Sequence, residues 1–200
     1  MTQRAGPMRQ AYPTAGPITR GDWLGIAFRR GDEMAICDDI VMGATWGGWV
    51  HCEVVRGKGG TGSPYAAFQG VGGFLPSQSR HAPPEWALFA LPVHDPSAVH
   101  SSILALLALD LPYNSADLWQ CCVTAMLPWE TELDCERPET WKESGVFCSQ
   151  VALLLLRRLA RQGAITFPAD TGPLVEATHS RGCSPNALFG LLSRACTRVF

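Results

Sequence analysis

Two hundred residues, 46% of them hydrophobic and 17% charged, suffice for one domain with a substantial core and are too few for two comfortable ones. The formal net charge is −2, and the basic residues are scattered apart from Arg29-Arg30 and Arg157-Arg158, so no electrostatic footprint for nucleic acid stands out. Apolar runs such as VALLLL fall far short of the roughly 20 residues that span a bilayer, so no transmembrane segment is expected.

The opening segment, MTQRAGPMRQAYPTAGPITR, is polar and rich in Pro and Gly without an apolar signal region; residues 1–18 read as a flexible arm before a single domain over 19–200. A cytoplasmic location is the matching expectation. From Gly21, GDWLGIAFRRGD has the apolar content and Gly-Asp flanks of a first strand. The segment WVHCEVVRG alternates, so Trp49, His51, Glu53 and Val55 share one face while Val50, Cys52 and Val54 form the core face. GKGGTGS then reads as a glycine-rich turn, PYAAFQGV as the returning strand of a hairpin, and EWALFALPV as a further strand closed by Pro92.

Helices follow. Asp95-Pro96 supplies an N-cap and first-turn pair for SAVHSSILALLAL, and Ser115 can cap ADLWQCCVTAML before Pro128 stops it. Ser144 is the expected cap of GVFCSQVALLLLRRLARQG, a helix buried through its middle because residues 151–156 are apolar on every face; Gly163 ends it, after Arg157, Arg158 and Arg161 have gathered at its negative end. Ser184-Pro185 starts a last helix, NALFGLLSRA. Strands first and helices later make an α+β plan.

Of the eight cysteines (Cys37, Cys52, Cys121, Cys122, Cys135, Cys148, Cys183 and Cys196), most sit in apolar segments without the spacing of a disulfide scaffold, so reduced thiols are expected. There is no CxxC pair, and the adjacent Cys121 and Cys122 point in different directions on a helix; neither a metal nor another cofactor is implied. Cys148 lies near the positive end of its helix, where aligned peptide dipoles favour a thiolate nucleophile. Among five histidines, His51 is held mid-strand beside a second polar residue and is the candidate base, while the other four lie in loop, helix-edge or polar contexts. Taken singly, Cys148 and His51 also suit ordinary packing; the combination is what points to chemistry.

A catalytic imidazole needs a third group on its other nitrogen. Glu53 shares the strand and face of His51, but two residues along a strand span about 6.5 Å, so its carboxylate would have to fold back. Gln69 comes from the neighbouring strand: with the turn centred near Gly60, His51 faces Gln69 and Glu53 faces Ala67. Gln69 is therefore the expected orienter and Glu53 the alternative. Trp49 and Tyr113 are candidate substrate-binding wall residues, each equally suited to packing.

In order, RGDWLGIAF, WVHCEVV, YAAFQGVGGF, EWALFALP, LPYNSADLW, GVFCSQV and SPNALFGLL resemble the blocks of the circularly permuted papain-like thiol hydrolases of the NlpC superfamily, which include YiiX-type bacterial proteins and lecithin:retinol acyltransferase-like enzymes. The blocks run from about Gly21 to Leu192, with the histidine strand before the cysteine helix, as in that permuted order. The resemblance implies a papain-like fold with an antiparallel sheet packed on a buried helix that carries the cysteine, Cys148 as nucleophile, His51 as base, and a third polar position falling on Gln69, where YiiX-type members often have Glu. Glu53 stands where many members have glycine; His-x-Glu variants resemble sequences of large DNA viruses, which would place the chain in host cytoplasm or a virion. The expected activity is hydrolysis of a peptide or isopeptide-like amide through an acyl-enzyme, and the expected partner is a peptide, amide or lipid acyl substrate. Lipid acyl transfer or phospholipase activity, and a catalytically idle binding or virion-structural domain, are the alternatives.

Overall fold

The apolar run WLGIAFRR becomes β1 (Trp23–Arg30), the strand around which the rest of the sheet is laid. The computed structural model describes residues 21–32, 36–45, 47–59, 65–69, 74–79, 81–112, 132–144 and 146–199. In β1, residues 23–28 are buried on both faces, as a strand with a neighbour on each side and packed layers above and below must be. It pairs antiparallel with β2 (Trp49–Gly57) along one edge and with β5 (Trp86–Pro92) along the other. Adding β3 (Tyr65–Gln69), the two-residue β4 (Leu75–Pro76) and the two-residue β6 (Thr197–Arg198) gives a sheet of order β4-β3-β2-β1-β5-β6, antiparallel at every step.

Alternation then assigns the two faces. Leu24, Ile26, Phe28, Cys52, Val54, Phe89 and Leu91 join the main core with the helices, while Trp23, Ala27, Val55, Trp86, Leu88 and Ala90 close a smaller cluster behind the sheet. Both faces are apolar because both are covered.

α1 (Ile36–Thr45) occupies a stretch to which the sequence reading assigned no element; its first turn carries Asp38 and Asp39, which suit the positive end of the helix dipole. α2 (Pro96–Ala108) starts as expected, with the Asp95 carboxylate accepting from the N–H groups of Ser97 and Ala98. A 3₁₀ turn at Pro138–Thr140 leads into the short α3 (Trp141–Ser144), and α4 (Cys148–Arg161) follows. Ser144 therefore closes α3 and does not cap the cysteine helix. Val146 breaks the two apart, its N–H donating to the Pro112 carbonyl at 3.1 Å, and Phe147 is the extended N-cap residue of α4.

Val151 to Leu156 are each no more than 1% exposed, so α4 is the buried helix that its apolar run demands. Each such leucine adds about 1.5–3 kcal/mol of burial. α4 packs directly on β2, and Gly163 ends it with a positive φ of 70°. Its arginines do more than meet a dipole: Arg157 is 3% exposed and donates to the carbonyls of Val175, Glu176 and Thr178 and to Glu132. That clamp holds α5 (Gly172–Ala177) and the turn after it against α4. α6 (Pro185–Ala195) starts at Ser184, whose hydroxyl accepts from the Ala187 N–H at 3.1 Å, and packs on both β2 and α4.

The architecture is thus α+β, with an antiparallel sheet backed by the helix that carries Cys148. Among the described residues no helix is long and apolar enough to cross a membrane. The expected arm at 1–18, the helix expected after Ser115 with Cys121 and Cys122, and Tyr113 lie outside the described residues.

Candidate active site

β2 positions two of the site's groups, and its ladder with β3 decides a third. The register runs from Gly57↔Tyr65 to Glu53↔Gln69, so the turn is centred one residue later than the glycine run suggests. A shift of one at the centre moves every partner by two. Gln69 therefore stands opposite Glu53 and not opposite His51, and the expected His51–Gln69 pair is not formed. With the ladder ending there, His51 and Cys52 lie past the last β2–β3 pair, where the start of α4 reaches them.

Glu53 takes the place expected of Gln69. Its carboxylate does fold back along its own strand: Oε1 lies 3.5 Å from His51 Nε2. The geometry is imposed from the other side by a segment that the sequence reading passed over. Ser79 Oγ donates to Glu53 Oε1 at 2.5 Å, Ser77 adds a further hydroxyl, and His81 Nε2 reaches Oε2 at 2.9 Å. The three clamp residues occupy alternate positions of SQSRH, 77 to 81. That period of two was the available signal. The Trp86 ring stands edge-on to both imidazoles, with centroids 6.4 Å from His51 and 4.4 Å from His81.

Glu53 is 1% exposed, and burial, the largest single influence on it, favours the neutral acid. The hydrogen bonds from His51, His81, Ser77 and Ser79 outweigh burial and hold the carboxyl well below its usual range. An ionised carboxylate only accepts, so the Nε2 atoms of His51 and His81 both carry the proton. His51 Nδ1 is then the nitrogen left for Cys148.

Cys148 is the first residue of α4, nearer the positive end than the sequence reading put it, and 4% exposed. Its thiol is held well below the ordinary range, first by a hydrogen bond from the Cys52 thiol, against the opposing pull of burial, and then by the His51 ring and the Cys52 backbone N–H. His51 moves the other way. Burial disfavours the charged ring, but Cys148 first and Glu53 second overcome it and raise His51 to about 9. At neutral pH the pair is a thiolate beside an imidazolium whose far side faces a carboxylate. Cys52, buried and next to that thiolate, is pushed well above its usual value and stays a protonated donor.

The N–H groups of a helix's first turn have no intrahelical partner. Gln150 Oε1 accepts from the Phe147 N–H at 3.1 Å, and the Cys148 N–H beside it is the candidate oxyanion donor. Trp49 is placed in packing: it stacks on Phe189 at 4.5 Å and 22°, meets Phe28 edge-on at 6.3 Å, and is tied to Asn186 through both backbone groups. Near the end of β1, where Arg29 stands opposite both His51 and Trp86, a cavity of about 500 Å³ is lined by Arg29, Arg30, Gly31, Asp32, Pro84 and Glu85. Asp38 fixes its wall, bonding Arg29 at 2.8 Å and the Asp32 N–H at 2.9 Å. Among the described residues no group of three or more His, Cys, Asp or Glu is arranged to hold a metal ion.

No family model, curated protein or solved structure matches this chain.

Proposed function

We propose that the chain is a cysteine-dependent hydrolase of papain-like fold, acting on an amide of peptide or isopeptide type, with Cys148 as nucleophile, His51 as acid and base, and Glu53 as the group that orients His51. The observation that carries this reading is the coupling of the Cys148 sulfur to an imidazole whose other nitrogen faces a clamped carboxylate. A buried cysteine that only filled space would not need that arrangement around it.

In the first step the Cys148 thiolate attacks the scissile carbonyl, and the oxyanion that develops is met by the Cys148 N–H. The imidazolium of His51 gives its Nδ1 proton to the departing amine as the carbonyl re-forms, leaving an acyl thioester. The neutral ring then takes a proton from water at Nδ1 as the water attacks the thioester, and the C–S bond breaks to release the acid and return the Cys148 thiolate. Glu53 stays ionised throughout and keeps the proton on Nε2.

Incubation with a panel of acyl donors, read by mass spectrometry as an adduct on Cys148, tests the reading. Amide-type donors should label Cys148, and Cys148→Ala should abolish the label. Labelling by lipid esters alone would replace the amide reading by acyl transfer or lipid hydrolysis. A Cys148 inert to every donor would leave a binding or structural domain.

A further inference from the structure

Two thiols meet at this site, and acyl chemistry uses one. Cys52, on β2, and Cys148, at the start of α4, are 1% and 4% exposed within one apolar cluster, and the Cys52 thiol hydrogen-bonds the Cys148 sulfur. Cys183 is buried nearby and influences both thiols through space, with no hydrogen bond to either. We propose that Cys52 is a resolving cysteine, which traps peroxide-oxidised Cys148 as a Cys52–Cys148 disulfide and makes the site reversibly sensitive to hydrogen peroxide. This goes beyond the hydrolase reading and shares with it only the thiolate at Cys148.

The steps balance. The Cys148 thiolate attacks one oxygen of hydrogen peroxide; an S–O bond forms, the O–O bond breaks, hydroxide leaves, and the sulfur becomes a sulfenic acid while the peroxide is reduced. Hydroxide takes the Cys52 proton. The Cys52 sulfur then attacks the Cys148 sulfur; an S–S bond forms, the S–O bond breaks, and the departing hydroxide takes the proton held by the His51 imidazolium, which came from Cys148, to become water. Two thiols and one peroxide give one disulfide and two waters. Burial first and the Cys148 thiolate second keep Cys52 protonated; conversion of Cys148 to the neutral sulfenic acid removes the second of these influences. The sulfurs must close from hydrogen-bond contact to an S–S bond of about 2.05 Å. Without a resolving thiol the sulfenic acid goes on to sulfinic acid, which thiols do not reverse.

The full reduced chain is titrated with hydrogen peroxide, capped with iodoacetamide, digested without reductant and mapped by mass spectrometry. The expected product is the Cys52 peptide joined to the Cys148 peptide, with alkylation of Cys148 fully recovered after dithiothreitol. In Cys52→Ala the linked peptide should be lost and Cys148 should pass to sulfinic acid without recovery; in Cys183→Ala the link should persist. Linkage of Cys148 to Cys183, or passage of the unaltered chain straight to sulfinic acid, would overturn the proposal even if Cys52→Ala did not fold. The map does not depend on turnover. A chain that forms the link but consumes no acyl donor refutes the hydrolase reading alone, and an active chain without the link refutes this one alone.

Discussion

Glu53 Oε1 stands 3.5 Å from His51 Nε2, although the two residues share one strand and point from one face of it. The alternative partner, Gln69, is opposite Glu53 and so two residue pairs along the ladder from the imidazole. Truncation of the two should therefore differ in effect. Glu53→Ala should lower kcat/KM by about 10²-fold, the scale on which an orienting group acts, and Gln69→Ala by much less. Parallel kinetics on one amide substrate decide between them, and a larger loss at Gln69 would return the orienting role to the neighbouring strand.

The pH dependence follows from the two shifted groups. Cys148 is depressed, so the thiolate persists well into acid; His51 is raised to about 9, so the imidazolium persists until the ring deprotonates. The kcat/KM profile should be a bell whose alkaline limb falls near pH 9. Linkage fixes the sign for stability. His51 is raised above its ordinary value of 6.5, so its contribution is complete below about pH 6.5 and is lost as pH climbs through about 9. Glu53 is depressed, so its contribution is present above its ordinary value of 4.5 and is lost as pH falls further. Cys148, depressed below its ordinary 9.0, carries the opposite sign over the same window as His51, so the two offset between about pH 6.5 and 9; denaturant midpoints should stay nearly flat there and fall below about pH 4.5, and a steep fall between 6.5 and 9 would contradict the paired charges.

Much of the scaffold was legible because local chemistry and tertiary placement agree. WVHCEVVRG becomes β2 with the expected bounds and alternates from His51 on, although a bulge opposite Arg29 and Arg30 turns Trp49 to the main-core side; Asp95 and Ser184 cap the helices that their positions announce; residues 151–156, apolar all round, lie buried. Cys148 and His51 were legible as a pair because one needs a helix start and the other a fixed strand. The third residue was not, because register depends on the turn's centre, and a run of glycines leaves the centre undetermined within a residue. The Ser77, Ser79 and His81 clamp is a long-range contact to β2, which sequence proximity does not reveal. α1 was missed because no strong N-cap marks its start and its first-turn aspartates read as loop.

The clamp itself can be tested at its most buried member. The His81 side chain is 0% exposed and satisfies Glu53 Oε2. His81→Ala should strand that oxygen and destabilise the fold by about 1–3 kcal/mol. His81→Asn, with a shorter donor, should recover part of the stability. The activity readout separates orientation from folding: at a temperature where His81→Ala is fully folded, its alkaline limb should move with the altered hold on Glu53. An unchanged profile would make His81 a packing residue only.

Arg157 joins α4 to the chain around α5 through three carbonyls and Glu132. Arg157→Met keeps the stem but leaves buried acceptors unmet, and should cost about 2–4 kcal/mol. Chemical denaturation checks the figure. Arg157→Lys should restore little, since one ammonium cannot span contacts that a planar guanidinium holds from several nitrogens.

Removal of the proposed nucleophile separates its chemistry from its packing. Cys148→Ala takes away a buried sulfur and leaves at most a modest cavity, so the domain should stay folded with a loss of about 1–2 kcal/mol, while turnover of any acyl donor should cease. The same variant reports on His51. Cys148 is the largest influence raising that imidazole, with Glu53 behind it, while burial pulls the other way. Without the thiolate the balance shifts toward burial, and the His51 titration should fall from about 9 toward or below its ordinary 6.5. Proton–carbon NMR of the ring C–H groups follows that titration directly. In the unaltered chain, limiting iodoacetamide near pH 6 should alkylate Cys148 before Cys183 or Cys196, both of which burial pushes up to about 12. Preferential labelling of Cys196, the more exposed thiol, together with a His51 titration indifferent to Cys148→Ala, would show that the two side chains touch without sharing charge.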